Sequence, residues 1–207
     1  MPRRAGRLPD EVRRGGAFSY CNGGYVVLAL LAERASGVPF AELVDQRVFQ
    51  PAGMTASGFA RSDLLPPGTA TGYKDDGRSN VFALPVLGSG DGGAHSTAGD
   101  IHRFWRALVD GRLVEERLVA LATERATEDA GDGLGYGRGI WLEDDTLVMA
   151  GGDHGVAFTS RHDRATGTTV SALANIEVRT FARTRDALAA VRGGRESAQP
   201  PNATGGA

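Results

Sequence analysis

A phenol and a carboxamide stand two residues apart in Phe18-Ser-Tyr-Cys-Asn-Gly-Gly-Tyr25, where Tyr20 and Asn22 sit at the mouth of an apolar stretch. Side chains held at a junction between loop and helix are fixed at the rim of a rigid element, which suits groups that must present a proton or a hydrogen bond to a substrate. A plainer reading gives Tyr20 an amphipathic ring packed at a helix start and makes Asn22 the N-cap of that helix. For a Tyr-x-Asn taken by itself the plainer reading wins. Cys21, between the two, has no histidine near it in sequence and reads as filler. Gly151 and Gly152 lie in Val148-Met-Ala-Gly-Gly-Asp-His154 and let a strand edge approach a carbonyl or carboxylate closely; a β-turn explains them equally well. His154 follows in the same turn, and His95 lies beside Asp91 in another Gly-rich loop. Neither shows a ligand spacing such as His-x-x-x-His, so solvated loops are preferred and no metal or cofactor is expected.

Acyl transfer would need a hydroxyl nucleophile, a base to take its proton and donors for the oxyanion. One known arrangement begins with Ser-x-x-Lys. Lys74 is the only lysine, so such a motif could end only there, and the chain reads Thr71-Gly-Tyr-Lys74.

Helices must position these groups. Val27, Leu28, Leu31 and Ala35 recur at helical spacing, and Gly37 falls where a left-handed cap closes a helix ending at Ser36. Pro39 suits a first helical position, and Phe40, Leu43, Val44 and Val48 give a second amphipathic stripe stopping before Pro51. Residues 53–95 are rich in Gly, Pro, Ser and Asp and read as a long excursion of loops and short strands. Ser96 or Thr97 caps a third helix whose inner face is Ile101, Phe104, Trp105 and Leu108, and a fourth runs from Glu115 to about Ala126. Phe104 and Trp105 are therefore assigned to packing, and so is Trp141, with a cleft-lining place as its alternative. After Gly133 short runs at 136–142, 146–149, 156–162 and 168–174 read as an antiparallel meander with turns at Asp-Asp, Gly-Gly and Asp-Arg-Ala-Thr-Gly. A last helix is expected from Arg179 to Val191, and residues 193–207 are expected to be disordered. The fold class is α+β.

The balance of charge excludes some partners. With 23 basic and 25 acidic side chains, no summed field draws the protein to nucleic acid. No segment approaches the roughly 20 apolar residues of a membrane-spanning helix. A small-molecule or peptide substrate is expected. One cysteine leaves the compartment open.

Four segments in order carry a resemblance: Phe18 to Tyr25, Val48-Phe-Gln-Pro-Ala-Gly-Met-Thr55, Gly92-Gly-Ala-His-Ser-Thr-Ala-Gly-Asp100 and Gly151-Gly-Asp-His-Gly-Val-Ala-Phe158. Together they resemble the β-lactamase and penicillin-binding family of serine hydrolases, especially its esterase-like and D-alanyl-D-alanine-carboxypeptidase-like members related to class C β-lactamases. The resemblance implies a helical layer packed on an antiparallel β-sheet with a C-terminal helix. It implies that Tyr20 assists proton transfer between nucleophile and leaving group, and that Asn22 orients a lysine and the substrate carbonyl. Gly151, Gly152 and His154 would fall to substrate binding, although Met149 stands where relatives place Lys or His, and His154 where they often carry Pro.

In that family Ser-x-x-Lys lies on a central helix well upstream of Tyr-x-Asn, and nineteen residues precede Tyr20 here. The chain is therefore expected to be a C-terminal portion: a partial domain over 1–192, with a helical part at about 20–130 and the sheet and closing helix at about 134–192. The N-terminal strands and the Ser-x-x-Lys helix would be missing, and the chain by itself inactive. The function implied is hydrolysis of an ester, amide, D-Ala-peptide or β-lactam through an acyl-enzyme; the alternative is a catalytically dead fragment or binding module. An unpaired sheet edge would favour self-association, which a monodisperse monomer would contradict. A metal-dependent hydrolase built on His95 and His154 is the outside alternative.

Overall fold

The computed structural model describes residues 18–127, 133–178 and 180–198. Helix α1 spans Asn22–Ser36, one residue after Cys21, which takes the N-cap position without a side-chain hydrogen bond. Asn22 is thus the first helical residue and not the cap. Gly37 closes the helix in the left-handed conformation at φ 71°, as its place in the sequence predicts.

The second helix does not stop before Pro51. Phe40–Val44 (α2) runs into a π-helical turn, Asp45–Phe49, and then into Gln50–Ala52 (α3), which ends at Gly53. A proline inside a helix has no N–H to give and crowds the preceding turn. Here the widened turn sits immediately before Pro51, and the Gln50 amide bonds to Asp45 instead of following α-helical spacing. The excursion predicted for the middle of the chain carries isolated bridges, among them Gly58 with His95 and Tyr73 with Ser79.

Helix α4, Ala98–Val109, starts at Thr97, whose hydroxyl accepts from the Asp100 amide. Asp100 is wholly buried at this helix start. Its carboxylate accepts from the Ala56 amide and the Ser57 hydroxyl, both at 2.7–2.8 Å, and pairs with Arg103. It thereby ties the loop after α3 to α4. The predicted inner face is the observed one: Trp105 and Leu108 pack with Ile140, Leu142 and Leu147, and Ile101 and Phe104 border that cluster. A second cluster joins Phe49, Ala52 and Met54 to Ala107. Helix α5 is shorter than predicted, Glu116–Thr123.

Five antiparallel strands follow in sequential order: β1 Gly135–Tyr136, β2 Trp141–Glu143, β3 Thr146–Asp153, β4 Val156–Asp163 and β5 Thr169–Ala174. The predicted single run 136–142 is two short strands around a turn at 137–140. Gly151 and Gly152 are not a turn. They lie inside β3, opposite Phe158 and Ala157, and the reversal comes later at His154-Gly155, with Gly155 at φ 72°. On the outer side β5 pairs with no described strand.

Alternation along β4 divides the sheet between two helices. Ser160 and His162 turn to α4, where the Trp105 indole donates to the Ser160 hydroxyl at 2.9 Å and stacks on His162. Thr159, Arg161 and Asp163 turn to the closing helix α6, Thr180–Ala198, where they meet Thr180, Thr184 and Arg192. This helix runs past the predicted end at Val191, so residues 193–198 are helical, and 199–207 lie outside the described residues.

His162 gives the sheet a pH response. Its ring is fully buried, with Thr169 at 2.9 Å from Nδ1. Burial first, then His102 and Arg106, push its pKa below the usual histidine value, against a smaller opposing pull from Asp163 and Asp110. The folded protein therefore binds this proton less readily than the unfolded chain. Stability is complete above the unfolded value near pH 6.5 and falls as pH drops below it. Denaturant midpoints measured from pH 8 to 5 should decline below about pH 6.5, and His162→Gln should flatten that decline.

Candidate active site

The first turn of α1 meets the start of β2 through aromatic rings. Tyr20 stacks on Tyr25 at 5.7 Å and on Trp141 at 6.0 Å, with interplanar angles of 30° and 29°. Tyr136 and Phe18 close the cluster from the side, each in contact with Trp141. The Tyr25 and Tyr136 hydroxyls are in direct hydrogen-bond contact. Trp141 is thus half-buried beside Tyr20. The spacing of Tyr20 and Tyr25 hinted at this cluster; the part of Tyr136 and Trp141 is a tertiary fact.

Trp141 is also the partner of Val148 in β3. Pairing with β2 covers only Thr146 to Val148, so among the described residues β3 is bonded from Met149 onward on one side, to β4, and Ala150 to Asp153 are exposed. The open edge begins one residue beyond the strand position that Tyr20 reaches through Trp141. Among the described residues, none apart from its own chain neighbours comes within 4 Å of where a side chain would start at Gly151.

Tyr20 is half exposed, and Asn22 is exposed on the same helix start. Burial raises the Tyr20 pKa, followed by Tyr25, Asp91 and Cys21, so the phenol is neutral at ordinary pH. Asp91 arrives on the Gly88–Gly93 loop. That loop seats on α1 through Gly90, where any side chain would meet the Tyr25 carbonyl at 2.2 Å. Its proximity to Tyr20 was hidden in the sequence, where seventy residues separate them.

The remaining candidates stand elsewhere. His154 caps the β3–β4 hairpin about 20 Å along the strand from Val148. Its Nδ1 is 3.4 Å from Glu177, and its carbonyl accepts from the Asn80 amide. The fold therefore sets Tyr20 against Trp141, whose strand partner is Val148, leaves Asn22 exposed at the start of α1, and puts Gly151 and Gly152 further along β3 toward His154 at its far end. His95 pairs through its backbone with Gly58. Among the described residues no three His, Cys, Asp or Glu side chains gather closely enough to hold a metal ion. Lys74 lies in the turn closed by its amide to Arg78, beside Tyr73, which bonds to Asn175 past the end of β5. Among the described residues no helix is long and apolar enough to cross a membrane.

The family described as Beta-lactamase matches residues 1–194. A penicillin-binding protein from Bacillus halodurans shares 35% identity and superposes with a TM-score of 0.77, over 86% of this chain and 57% of that one. The octameric penicillin-binding protein homologue from Pyrococcus abyssi has the same fold at 21% identity and a TM-score of 0.75, over 86% of this chain and 43% of its own. A D-aminopeptidase from Brucella anthropi is 31% identical over 63% of this chain and 25% of its own length. The chain spans about a quarter to a third of the length of the curated relatives it matches.

Proposed function

The chain belongs to the Beta-lactamase family of serine hydrolases, and we propose that it is the C-terminal portion, a partial domain over residues 1–192, of an acyl-serine hydrolase. In this reading the nucleophilic serine and its lysine come from a Ser-x-x-Lys segment outside this chain, and the chain alone is inactive. The substrate is an ester, amide, D-Ala-peptide or β-lactam. Tyr20 passes the proton between the serine and the leaving group, Asn22 holds the lysine and the substrate carbonyl, and the Gly151–Gly152 edge aligns the acyl chain by backbone hydrogen bonds.

One observation carries this proposal: Tyr20 stands, through Trp141, beside the point where β3 becomes unpaired. Acyl transfer needs proton transfer and a directed carbonyl in one place, and this neighbourhood supports assigning both roles here. Self-association through the free β5 edge belongs to the same reading, since a completing strand would otherwise cover it.

A second reading, a binding module without catalysis, draws on Met149 in place of a cationic residue and on the neutral Tyr20. Labelling with a fluorescent penicillin separates the two. A longer protein carrying an upstream Ser-x-x-Lys should form a covalent adduct that survives denaturation, and the 207-residue chain should not. Reversible binding without an adduct in both would favour the binding module.

A further inference from the structure

Helix α4 lies over two polar rungs of the β4–β5 pair. Ser160 stands opposite Ser171 and His162 opposite Thr169, and each rung is bonded across the strands, Ser160 Oγ to Ser171 Oγ at 2.8 Å and His162 Nδ1 to Thr169 Oγ1 at 2.9 Å. The helix joins each rung once. Trp105 donates its indole N–H to Ser160, and His102, one turn earlier, places its Nδ1 2.8 Å from the Thr169 hydroxyl. Thr169 is therefore held between two imidazoles, that of His102 exposed and that of His162 wholly buried. Among the described residues its hydroxyl has no further partner.

A hydroxyl carries one hydrogen, and an imidazole Nδ1 donates or accepts according to where the ring keeps its own proton. With both histidines neutral the hydroxyl is satisfied when one Nδ1–H donates to it and it donates to the other, bare Nδ1. A proton added to exposed His102 at Nε2 leaves that chain intact: His102 donates to Thr169, and Thr169 donates to His162. A second proton, on His162, breaks it. Both Nδ1 atoms then carry hydrogen, the hydroxyl hydrogen has no acceptor, and two cations share one oxygen. Around His162, α4 contributes His102, Arg106 and Asp110, β4 contributes Asp163, and β5 has no charged residue. Both carboxylates already have arginine partners, Arg106 for Asp110 and Arg192 for Asp163.

We propose that His102, Thr169 and His162 form a proton-operated latch between α4 and the edge strand β5, which one imidazolium leaves closed and two open. In acid the start of β5 loses its tie to α4. Because β5 is the outermost described strand, its loosening makes a sheet edge available to another chain. The burial that holds His162 neutral sets the order, with exposed His102 charged first. None of the groups assigned to acyl transfer takes part.

The test uses the full 207-residue chain, with imidazole ¹H–¹⁵N spectra and amide hydrogen exchange followed from pH 8 to 4. At pH 8 the two histidines should be opposite tautomers, one Nδ1–H and the other Nε2–H, and once His102 is charged His162 should be the Nε2–H form. As His162 takes its proton, exchange of the β5 amides, corrected for the intrinsic pH dependence of exchange, should rise about tenfold over that of the β3 amides, the scale of one to two lost hydrogen bonds. Thr169→Ser keeps the hydroxyl and should keep this rise, whereas Thr169→Val should abolish it. His102→Gln, at an exposed position, is the sharper variant. Its amide oxygen can accept the hydroxyl hydrogen while a charged His162 donates to Thr169, so β5 should stay protected in acid. Like tautomers at pH 8, β5 exchange that follows β3 throughout, or an acid rise that survives His102→Gln would overturn the latch.

Discussion

Replacing Tyr20 with Phe in a longer protein that carries Ser-x-x-Lys should slow acylation by penicillin by about 10²–10⁴-fold, the range for removing a positioned proton-transfer group. The initial reversible affinity should change by no more than a few fold, because the ring remains to stack on Tyr25 and Trp141. Stopped-flow acylation at varied penicillin concentration separates the two constants. The raised pKa of Tyr20 adds a second readout. Burial, Tyr25 and Asp91 hold the phenol protonated beyond its usual value of 10. A lysine ammonium brought beside it favours phenolate. The tyrosine absorbance step assigned by Tyr20→Phe should therefore lie at lower pH in the longer protein than in this chain. Unchanged acylation in the Phe variant would show that Tyr20 only packs, the plainer reading of its place at a helix start.

What could be read from the sequence depended on the range of the interactions. Caps and stripes are local, so Gly37 and Thr97 marked helix ends correctly, and Ile101, Phe104, Trp105 and Leu108 named the buried side of α4 before any packing was known. Pro51 misled because a helix can absorb a proline by widening the turn ahead of it, which depends on the packing of Phe49 and Ala52 against Ala107. Gly151-Gly152 was undecided for a similar reason. Glycine weakens a strand, and only the partner β4, paired along all of β3, keeps these two extended.

The candidate cleft was half legible. Tyr20 and Asn22 stood out through their motif, but the rings packed beside Tyr20 include Tyr136 and Trp141, more than a hundred residues away. Asp91 likewise lay in a Gly-rich run that read as solvated loop; the close approach of Gly90 to Tyr25 and Ala29 seats that loop on α1. The Leu28 and Leu31 stripe of α1 predicted the helix correctly, yet both side chains are exposed, and among the described residues only Ala29 of α1 is buried. Helical periodicity identifies an apolar face without saying what will cover it.

The largest stability loss is expected from Trp105→Ala. Trp105 is wholly buried where α4 meets the sheet, in the cluster with Leu108, Ile140, Leu142 and Leu147, and it stacks on His162. Truncating a buried tryptophan costs about 3–5 kcal/mol through lost transfer free energy and the cavity left behind. The hydrogen bond is the smaller part, because Ser160 keeps Ser171 as a partner at 2.8 Å once the indole is gone. Trp105→Phe should accordingly recover most of the loss although it restores no donor. Urea unfolding checks this through midpoints, with slopes that stay constant if the compactness of both end states is unchanged. Water entering the Trp105→Ala cavity would also relieve the burial that depresses His162. The acid limb of stability should then shrink together with the total, linking the core position to the pH response. A Phe variant as damaged as the Ala variant would move the weight from packing to the indole–Ser160 bond.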